Sequence, residues 1–197
     1  MSNHISDKII VITAPSGAGK TSITKYLMQQ LPQLSFSVSA TTRSPRPNET
    51  NGIDYYFISA ESFKNKIESG DFIEWEMVYE GMYYGTLKTE IDKIWQKDQI
   101  PVLDIDVKGA LHIKKIFPAE TITLFIAPPS VATLRERLQK RGTETEASLE
   151  RRIQKANEEL SYQQQFDHVI LNDQLDLACE QAVAIVKNFL NIKTENK

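Results

Sequence analysis

Cysteine is almost absent from the sequence. Among 197 residues there is one, Cys179, which excludes an internal disulfide and is typical of a protein in a reducing compartment. No apolar run approaches the roughly 20 residues that span a membrane, and residues 1–4 have no signal-peptide character. We therefore expect a cytoplasmic protein that does not contact a membrane.

An excess of basic residues is also lacking. Lys and Arg number 23 against 26 Asp and Glu, a net charge of −3, whereas general nucleic-acid binding favours a basic surface. Hydrophobic residues make up 41% of the chain, enough to build a full core. The sequence therefore predicts one compact domain that does not bind nucleic acid.

The order of the apolar patterns predicts an α/β fold. Runs typical of strands occur at 8–13, 34–39, 53–58, 72–79, 101–106, 121–127 and 168–171. Helical spacing occurs between them, at about 22–31, 60–69, 87–96, 107–116, 130–140, 146–164 and 175–190. This alternation favours a mostly parallel sheet with helices on both faces. The interval 35–84 has several short strands and one helix, and we interpret it as an inserted lobe.

A loop of small residues follows the first predicted strand and precedes the first predicted helix. Its residues are Ala14-Pro15-Ser16-Gly17-Ala18-Gly19-Lys20-Thr21, and Ser22 follows. Strand, glycine-containing loop and helix form the setting of a phosphate-binding P-loop, in which backbone N–H groups surround an anion. Lys20 would reach the β- and γ-phosphates of a nucleoside triphosphate, and the Thr21 hydroxyl would ligate Mg²⁺.

Ala14 departs from this motif, which usually begins with glycine. Because alanine avoids positive φ, the loop must have a negative φ at Ala14 or carry strain. The alternative is a small-residue turn that matches the motif by chance. The intact Gly19-Lys20-Thr21 favours nucleotide binding.

Two arginines mark a candidate site for a second anion. Arg43 and Arg46 lie in a loop stiffened by prolines, near the hydroxyls of Ser39, Thr41 and Thr42. Guanidinium groups can bind phosphate in a bidentate manner. A solvated basic loop is the alternative, and the loop alone does not decide between the two.

Carboxylates in two predicted strands could recognise a base. Glu74 could accept from N1–H and the exocyclic N2 amine of guanine, and adenine offers neither donor there. The alternative is a glutamate on the wet face of a strand. Asp104 and Asp106 end another predicted strand, where ligands of open α/β sheets bind. They could hold Mg²⁺ through water or bind a base.

Arginines also flank the polar segment 142–145. They are Arg135, Arg137, Arg141, Arg151 and Arg152. Positive charge stabilises a transferring phosphoryl group, and a mobile loop can deliver that charge on closure. The alternative is two charged helix faces with nearby glutamates as partners. We expect some of these arginines to be catalytic and others to be solvated.

Taken together, these stretches resemble guanylate kinase, the family that phosphorylates GMP with ATP. The resemblance runs over about 8–190 and rests on segments 16–21, 37–46, 54–57, 72–75, 83–86, 103–106, 126–130, 141–145 and 171–173. It implies a P-loop nucleoside monophosphate kinase built from three parts. They are a core (about 1–34, 87–140 and 165–192), a GMP-binding lobe (about 35–86) and a lid (about 141–164).

The resemblance also implies a set of site residues. ATP would be bound by the loop from Ala14 to Ser22 and by Asn172. The GMP phosphate would be held by Arg43, Arg46, Tyr55 and Tyr84, and guanine by Ser39, Glu74, Thr86 and Asp104. The catalytic residues would be Lys20 and Arg43 with three lid arginines, Arg137, Arg141 and Arg152. Mg²⁺ would be held by Thr21 and Asp106.

Two rival functions are weighed against this one. Guanylate-kinase-like domains of membrane-associated scaffolds bind protein ligands, but they typically lose phosphate-loop or lid residues, and here Lys20, Thr21 and Arg141 are present. The second rival is a P-loop kinase for another nucleoside monophosphate, and Glu74 argues against adenine. We therefore expect ATP and GMP, with dGMP as a further acceptor, and Mg²⁺ as cofactor. The sequence leaves monomer and homo-oligomer both open.

Overall fold

The computed structural model of the chain describes residues 7–140 and 145–192. Its contacts divide the chain into two compact units. Unit 1 comprises Met1–Ile10 and Gln33–Thr121, and unit 2 comprises Val11–Pro32 and Ile122–Lys197. In the described ranges no helix is long and apolar enough to cross a membrane.

Strands and helices alternate along the chain. The strands are β1 (Ile9–Thr13), β2 (Leu34–Phe36), β3 (Ala40–Thr41), β4 (Tyr56–Phe57), β5 (Phe72–Tyr79), β6 (Met82–Leu87), β7 (Ile100–Asp104), β8 (Thr121–Ala127) and β9 (His168–Leu171). The helices are α1 (Lys20–Gln30), α2 (Ala60–Glu68), α3 (Lys88–Trp95), α4 (Val107–Ile116), α5 (Val131–Lys140), α6 (Glu146–Ser161) and α7 (Leu175–Phe189). The larger sheet has the strand order β2-β7-β1-β8-β9. Since β2 pairs parallel with β7 and β8 parallel with β9, the predicted parallel α/β architecture is confirmed.

Unit 1 also contains a smaller sheet with the strand order β4-β3-β6-β5. β6 runs antiparallel to both β3 and β5, whereas β3 and β4 are parallel. Ala40, Phe63 and Phe72 form its buried core, and the rings of Phe63 and Phe72 stack with centroids 4.3 Å apart. Because Phe63 belongs to α2, this stacking holds the helix against the sheet.

Unit 2 packs helices around the loop that follows β1. All seven residues of β8 are buried, as expected for a strand covered on both faces. A second apolar cluster joins Leu134 and Leu138 of α5 to Leu149 and Ile153 of α6, and Ala18 of the loop is part of it. The side chains of α5 and α6 therefore shape the space around the loop.

Some predicted boundaries were wrong. The strand predicted at 34–39 ends at Phe36. Only Tyr56–Phe57 are strand within the predicted 53–58, because Ile53 lies in a turn and is 67% exposed. The long helix predicted through 164 ends at Ser161. The strands at Ala40–Thr41 and Met82–Leu87 were not predicted, and the second is paired to β5 through a turn at Gly81, whose φ is 73°.

Candidate nucleotide-binding and catalytic residues

The helix that follows the small-residue loop begins without a side-chain cap. Gly19 occupies the N-cap position of α1, with no side-chain cap hydrogen bond and no acidic residue in the first turn. In contrast, α4 and α6 are each capped by a side chain. Lys20 is the first residue of α1, and exposed Thr21 and Ser22 follow. An uncapped helix start with a lysine at its first position is suited to bind an anion.

The loop requires glycine at two positions. Gly17 and Gly19 have φ of 93° and 99°, conformations that side chains disfavour. A Cβ at Gly17 would lie 3.3 Å from Leu138, and one at Gly19 would collide with the Asn172 amide. Ala14 carries no such strain, because positive φ at non-glycine residues of the described chain occurs only at Asp98 and Asn191. The Ala14 side chain packs instead against the α5–α6 cluster, so its departure from the motif is accommodated.

Asn172 supports the loop by direct contact. Its side-chain Nδ2 donates to the Ala18 carbonyl at 2.6 Å, and its backbone N–H donates to the Ala127 carbonyl at 2.7 Å. The residue is 3% exposed, and its Oδ1 has no hydrogen-bond partner within the described part of the chain. Asn172 therefore links the end of β9 to the loop.

Of the arginines that flank segment 142–145, Arg152 contacts the loop after β1 and Arg137 contacts Asn172. Arg152 Nη1 donates to Ser16 Oγ at 2.6 Å. Arg137 Nη2 donates to the backbone carbonyl of Asn172 at 3.0 Å. Both guanidinium groups therefore lie where they can add positive charge beside the loop.

The other arginines are engaged elsewhere or lie outside the description. Arg135 pairs with Glu150 at 2.6 Å, and Arg151 Nε donates to the Ala147 carbonyl at 3.3 Å. Arg141, predicted as a catalytic residue, lies outside the described residues. Arg137 and Arg152 thus contact Asn172 and the loop, whereas Arg135 and Arg151 contact residues of α6.

In unit 1, a buried carboxylate lies in β5. Glu74 is 5% exposed, so the alternative of a glutamate on a wet strand face is wrong. Its Oε1 accepts from the hydroxyl of Thr86 at 2.6 Å, and the two residues are paired across β5 and β6. A Cβ at Gly109 of α4 would lie 2.6 Å from Glu74 Oε2, so only glycine leaves room for this carboxylate.

Burial changes the acidity of Glu74. It raises the pKa of the carboxyl to about 7, the hydrogen bond from Thr86 opposes this rise, and the charge of Asp106 adds to it. A group with this pKa is about half ionised at neutral pH. Two N–H donors of a ligand would favour the ionised form, because each donates to a negative charge.

Arg43 and Arg46 both lie close to the carboxylate of Glu49, which the sequence did not suggest as a partner. Arg43 donates to Glu49 through both terminal nitrogens, at 2.6 and 2.7 Å, and Arg46 Nη1 lies 3.9 Å from the same carboxylate. The Arg43 guanidinium lies 4.9 Å from the ring centroid of Tyr55, and the Tyr55 and Tyr84 rings meet edge-on at 6.0 Å. The structure thus brings Arg43, Tyr55 and Tyr84 together, whereas the Arg46 side chain is 65% exposed.

Ser39 and the two aspartates each lie at or beside the end of a strand or helix in unit 1. Ser39 is 7% exposed, and its carbonyl accepts from Tyr56 N–H at 2.9 Å. Asp104 is the half-buried last residue of β7. Asp106 caps α4 through Oδ1, which accepts from Gly109 N–H at 2.9 Å.

Glu90 is a second buried carboxylate, near Ser39, that was not predicted from the sequence. Glu90 is 8% exposed and accepts from the Tyr56 hydroxyl at 3.0 Å and from Val38 N–H at 3.4 Å. Burial, followed by this contact with Glu90, raises the pKa of Tyr56. Because glutamate early in a helix is ordinarily exposed, no signal in the sequence distinguishes Glu90 from its neighbours.

The fold and the loop after β1 define the chain as a P-loop kinase, a nucleotide-binding transferase. A family model described as Guanylate kinase matches residues 6–189. The guanylate kinase of Salinibacter ruber is 45% identical over 183 residues, 93% of this chain and 97% of that protein. That of Bacteroides fragilis is 45% identical over 188 residues, covering 95% and 92%. The chain belongs to the guanylate kinase family, so the resemblance found in the sequence is confirmed.

A solved structure agrees with this membership. The crystal structure of guanylate kinase from Anaplasma phagocytophilum matches with a TM-score of 0.74 at 28% identity, covering 95% of this chain and 87% of that chain. The similarity therefore extends over nearly the whole fold.

Glu74 should make the free energy of unfolding fall as pH rises, whereas a carboxylate with a lowered pKa makes it rise. Its pKa rises from 4.5 to about 7 on folding, so its contribution is fully present below pH 4.5 and is lost as pH rises through 7. We expect the free energy of unfolding of the wild type, relative to Glu74→Gln, to fall by about 3 kcal/mol between pH 4 and pH 8. Urea denaturation of both proteins across this range measures the difference. A difference that is constant with pH would contradict the buried, proton-binding carboxylate.

Proposed function

We propose that this chain transfers the γ-phosphoryl group of ATP to GMP, and also to dGMP, giving ADP and GDP or dGDP. A phosphate oxygen of the monophosphate attacks the γ-phosphorus in line, and the bond from that phosphorus to the β–γ bridging oxygen breaks. The buried Glu74, hydrogen-bonded by Thr86, is the observation that carries the choice of guanine.

Guanine recognition follows from the acceptor oxygens of Glu74, which the Thr86 hydroxyl holds in place. The Glu74 carboxylate accepts from N1–H and the N2 amine of guanine, with Ser39 and Asp104 as further polar contacts. Adenine has no donor at either place, so a buried carboxylate would stay unpaired, which costs about 1–3 kcal/mol or more. Arg43, with Tyr55 and Tyr84 against it, and Arg46 bind the monophosphate of the acceptor.

The triphosphate binds at the loop from Ala14 to Ser22. Backbone N–H groups of the loop and of the first turn of α1 surround the phosphates, and Lys20 neutralises charge that moves onto the bridging oxygen. Arg137 and Arg152, which already contact Asn172 and Ser16, add positive charge there. Arg141 is proposed as a third such arginine from its match to the family motif.

The donor set fits Mg²⁺ brought in with ATP. Thr21 offers an exposed hydroxyl at the first turn of α1, and Asp106 offers a carboxylate of which one oxygen caps α4. Oxygen ligands of this kind are those that Mg²⁺ takes. When bound, the ion neutralises charge on the β- and γ-phosphates. Thr21 would ligate it, and Asp106 would orient its waters.

Conformational closure is part of the proposal. Residues of about 35–86 form the GMP-binding lobe, and those of about 141–164 form the lid of a core that carries the P-loop. Both nucleotides must come within bonding reach while water is excluded. GMP would draw the lobe inward and ATP would draw the lid down, as rigid pieces. A cytoplasmic location is proposed with this activity, because ATP and GMP are its substrates.

A coupled assay of ADP formation tests the substrate assignment. With ATP present, GMP and dGMP should support turnover, whereas AMP, UMP and CMP should not. Lys20→Ala should lower kcat with GMP by at least about 100-fold, because it removes the charge that stabilises the transferring group. Lys25→Ala, an exposed lysine of the same helix, serves as control. A folded Lys20→Ala protein with near-normal kcat would refute the P-loop assignment.

Guanine binding should depend on the ionisation of Glu74. Because the pKa of this carboxyl is about 7 in the free protein, the KM for GMP should rise about tenfold for each pH unit below 7. Glu74→Gln should have a higher KM at pH 8 and should lose this dependence, keeping only what the GMP phosphate itself contributes near pH 6. Glu80→Gln, an exposed carboxylate, should behave as wild type. Identical KM profiles for wild type and Glu74→Gln would exclude Glu74 as the guanine ligand.

Closure should be visible as a change in distance. Spin labels on exposed Asn48 and Ala147, in a background where Cys179 is replaced by serine, report on the lobe and the lid. The distribution measured by pulsed electron resonance should shorten most when both sites are filled, with GMP and a non-hydrolysable ATP analogue. GMP alone should give a smaller change. Distances that stay fixed with both ligands bound would contradict closure while leaving the substrate assignment intact.

A further inference from the structure

Glu49 contacts both arginines of the loop 43–46. Its two carboxylate oxygens accept from Arg43 Nη1 and Nη2 at 2.6 and 2.7 Å. One of them also accepts from the backbone N–H of Arg46 at 2.8 Å. The Arg43 and Glu49 side chains are 11% and 15% exposed, so this is a partly buried, bidentate ion pair.

The carboxylate is also part of the loop's own backbone structure. Glu49 N–H donates to the Arg46 carbonyl at 3.0 Å, while the Glu49 side chain accepts from Arg46 N–H. These reciprocal bonds close the turn from Arg46 to Glu49 on itself. The Arg43 guanidinium lowers the pKa of Glu49 to about 2, so the carboxylate stays charged at every working pH.

Arg43 is constrained on its remaining sides. Its Nη1 also donates to the Ser44 carbonyl at 3.0 Å, and its guanidinium lies 4.9 and 5.5 Å from the ring centroids of Tyr55 and Phe57. Of the five N–H donors of an arginine, Glu49 and Ser44 take three, and the Tyr84 side chain is a further hydrogen-bond partner of the guanidinium. The side edge of the fork, Nε–H with the second Nη2–H, is the pair of parallel donors suited to a phosphate.

We propose that Glu49 is a positioning residue, which holds Arg43 with its side edge presented to the phosphate of the acceptor nucleotide. This inference rests on the proposed function of Arg43. The competing mechanism is that Glu49 occupies the phosphate position and must be displaced by substrate. Displacement would break both hydrogen bonds of the ion pair and the bond from Arg46 N–H that closes the turn. The contacts therefore favour positioning over competition.

The series Glu49→Gln and Glu49→Ala distinguishes the two mechanisms. If Glu49 positions Arg43, the KM for GMP should rise in both variants, by at least about tenfold for alanine. Glutamine keeps the size of the side chain and one acceptor oxygen, so the KM for GMP should rise less in Glu49→Gln than in Glu49→Ala. The KM for ATP should stay within about twofold of wild type. Glu68→Gln, an exposed carboxylate of α2, is the matched control and should change neither constant.

A second readout needs no substrate and therefore does not depend on the proposed function. In ¹⁵N-labelled free protein, the bidentate pair should slow rotation of the Arg43 guanidinium, so that its Nη–H resonances are resolved. They should broaden or merge in Glu49→Ala and persist in Glu68→Gln. A lower KM for GMP in the variants would show that Glu49 competes with phosphate and would overturn the proposal. A reduced melting temperature with unchanged KM and unchanged Arg43 resonances would reduce Glu49 to a loop-stabilising residue and would overturn it as well.

Discussion

The hydrogen bond from the Asn172 side chain to the Ala18 carbonyl fixes which way the loop after β1 faces. A peptide group whose carbonyl is held on one side presents its N–H on the other, so this buried contact restrains the orientation of the peptide between Ala18 and Gly19. Gly17 and Gly19 supply the positive φ that the loop needs. The start of α1 has no side-chain cap to compete for an anion. The conformation of the loop therefore depends on a residue far from it in sequence.

Unit 1 also holds two of its carboxylates by direct side-chain contacts. Glu74 is held by Thr86, and Arg43 is held by Glu49. The two pairs differ in their cost to the fold. The ion pair compensates the burial of both charges, whereas Glu74 has only a neutral partner, and burial raises the pKa of Glu74 to about 7. The folded protein therefore holds a proton on Glu74 more tightly than the unfolded chain does, whereas Glu49 stays ionised.

The elements that sequence predicted well are those with strong local patterns. β8 and β9 were predicted with the bounds that the structure has, since a continuous buried run and a short strand between turn residues are local features. β6 was missed because its Tyr83-Tyr84-Gly85 segment has no alternation. It is a strand because β3 and β5 lie on either side of it, and sequence alone does not reveal those neighbours.

The sequence by itself determined the family, the parallel α/β plan and the glycine-containing loop between the first strand and the first helix, because each depends on residues that are close together along the chain. It did not determine whether Glu74 is buried or exposed. That depends on Thr86 and on the absence of a side chain at Gly109, which tertiary structure brings to it. Nor did it single out Glu49 or Glu90, since a glutamate gains its partners only when the backbone around it is folded. Burial and pairing of charge are set by segments that meet in space, so only the tertiary structure decided them.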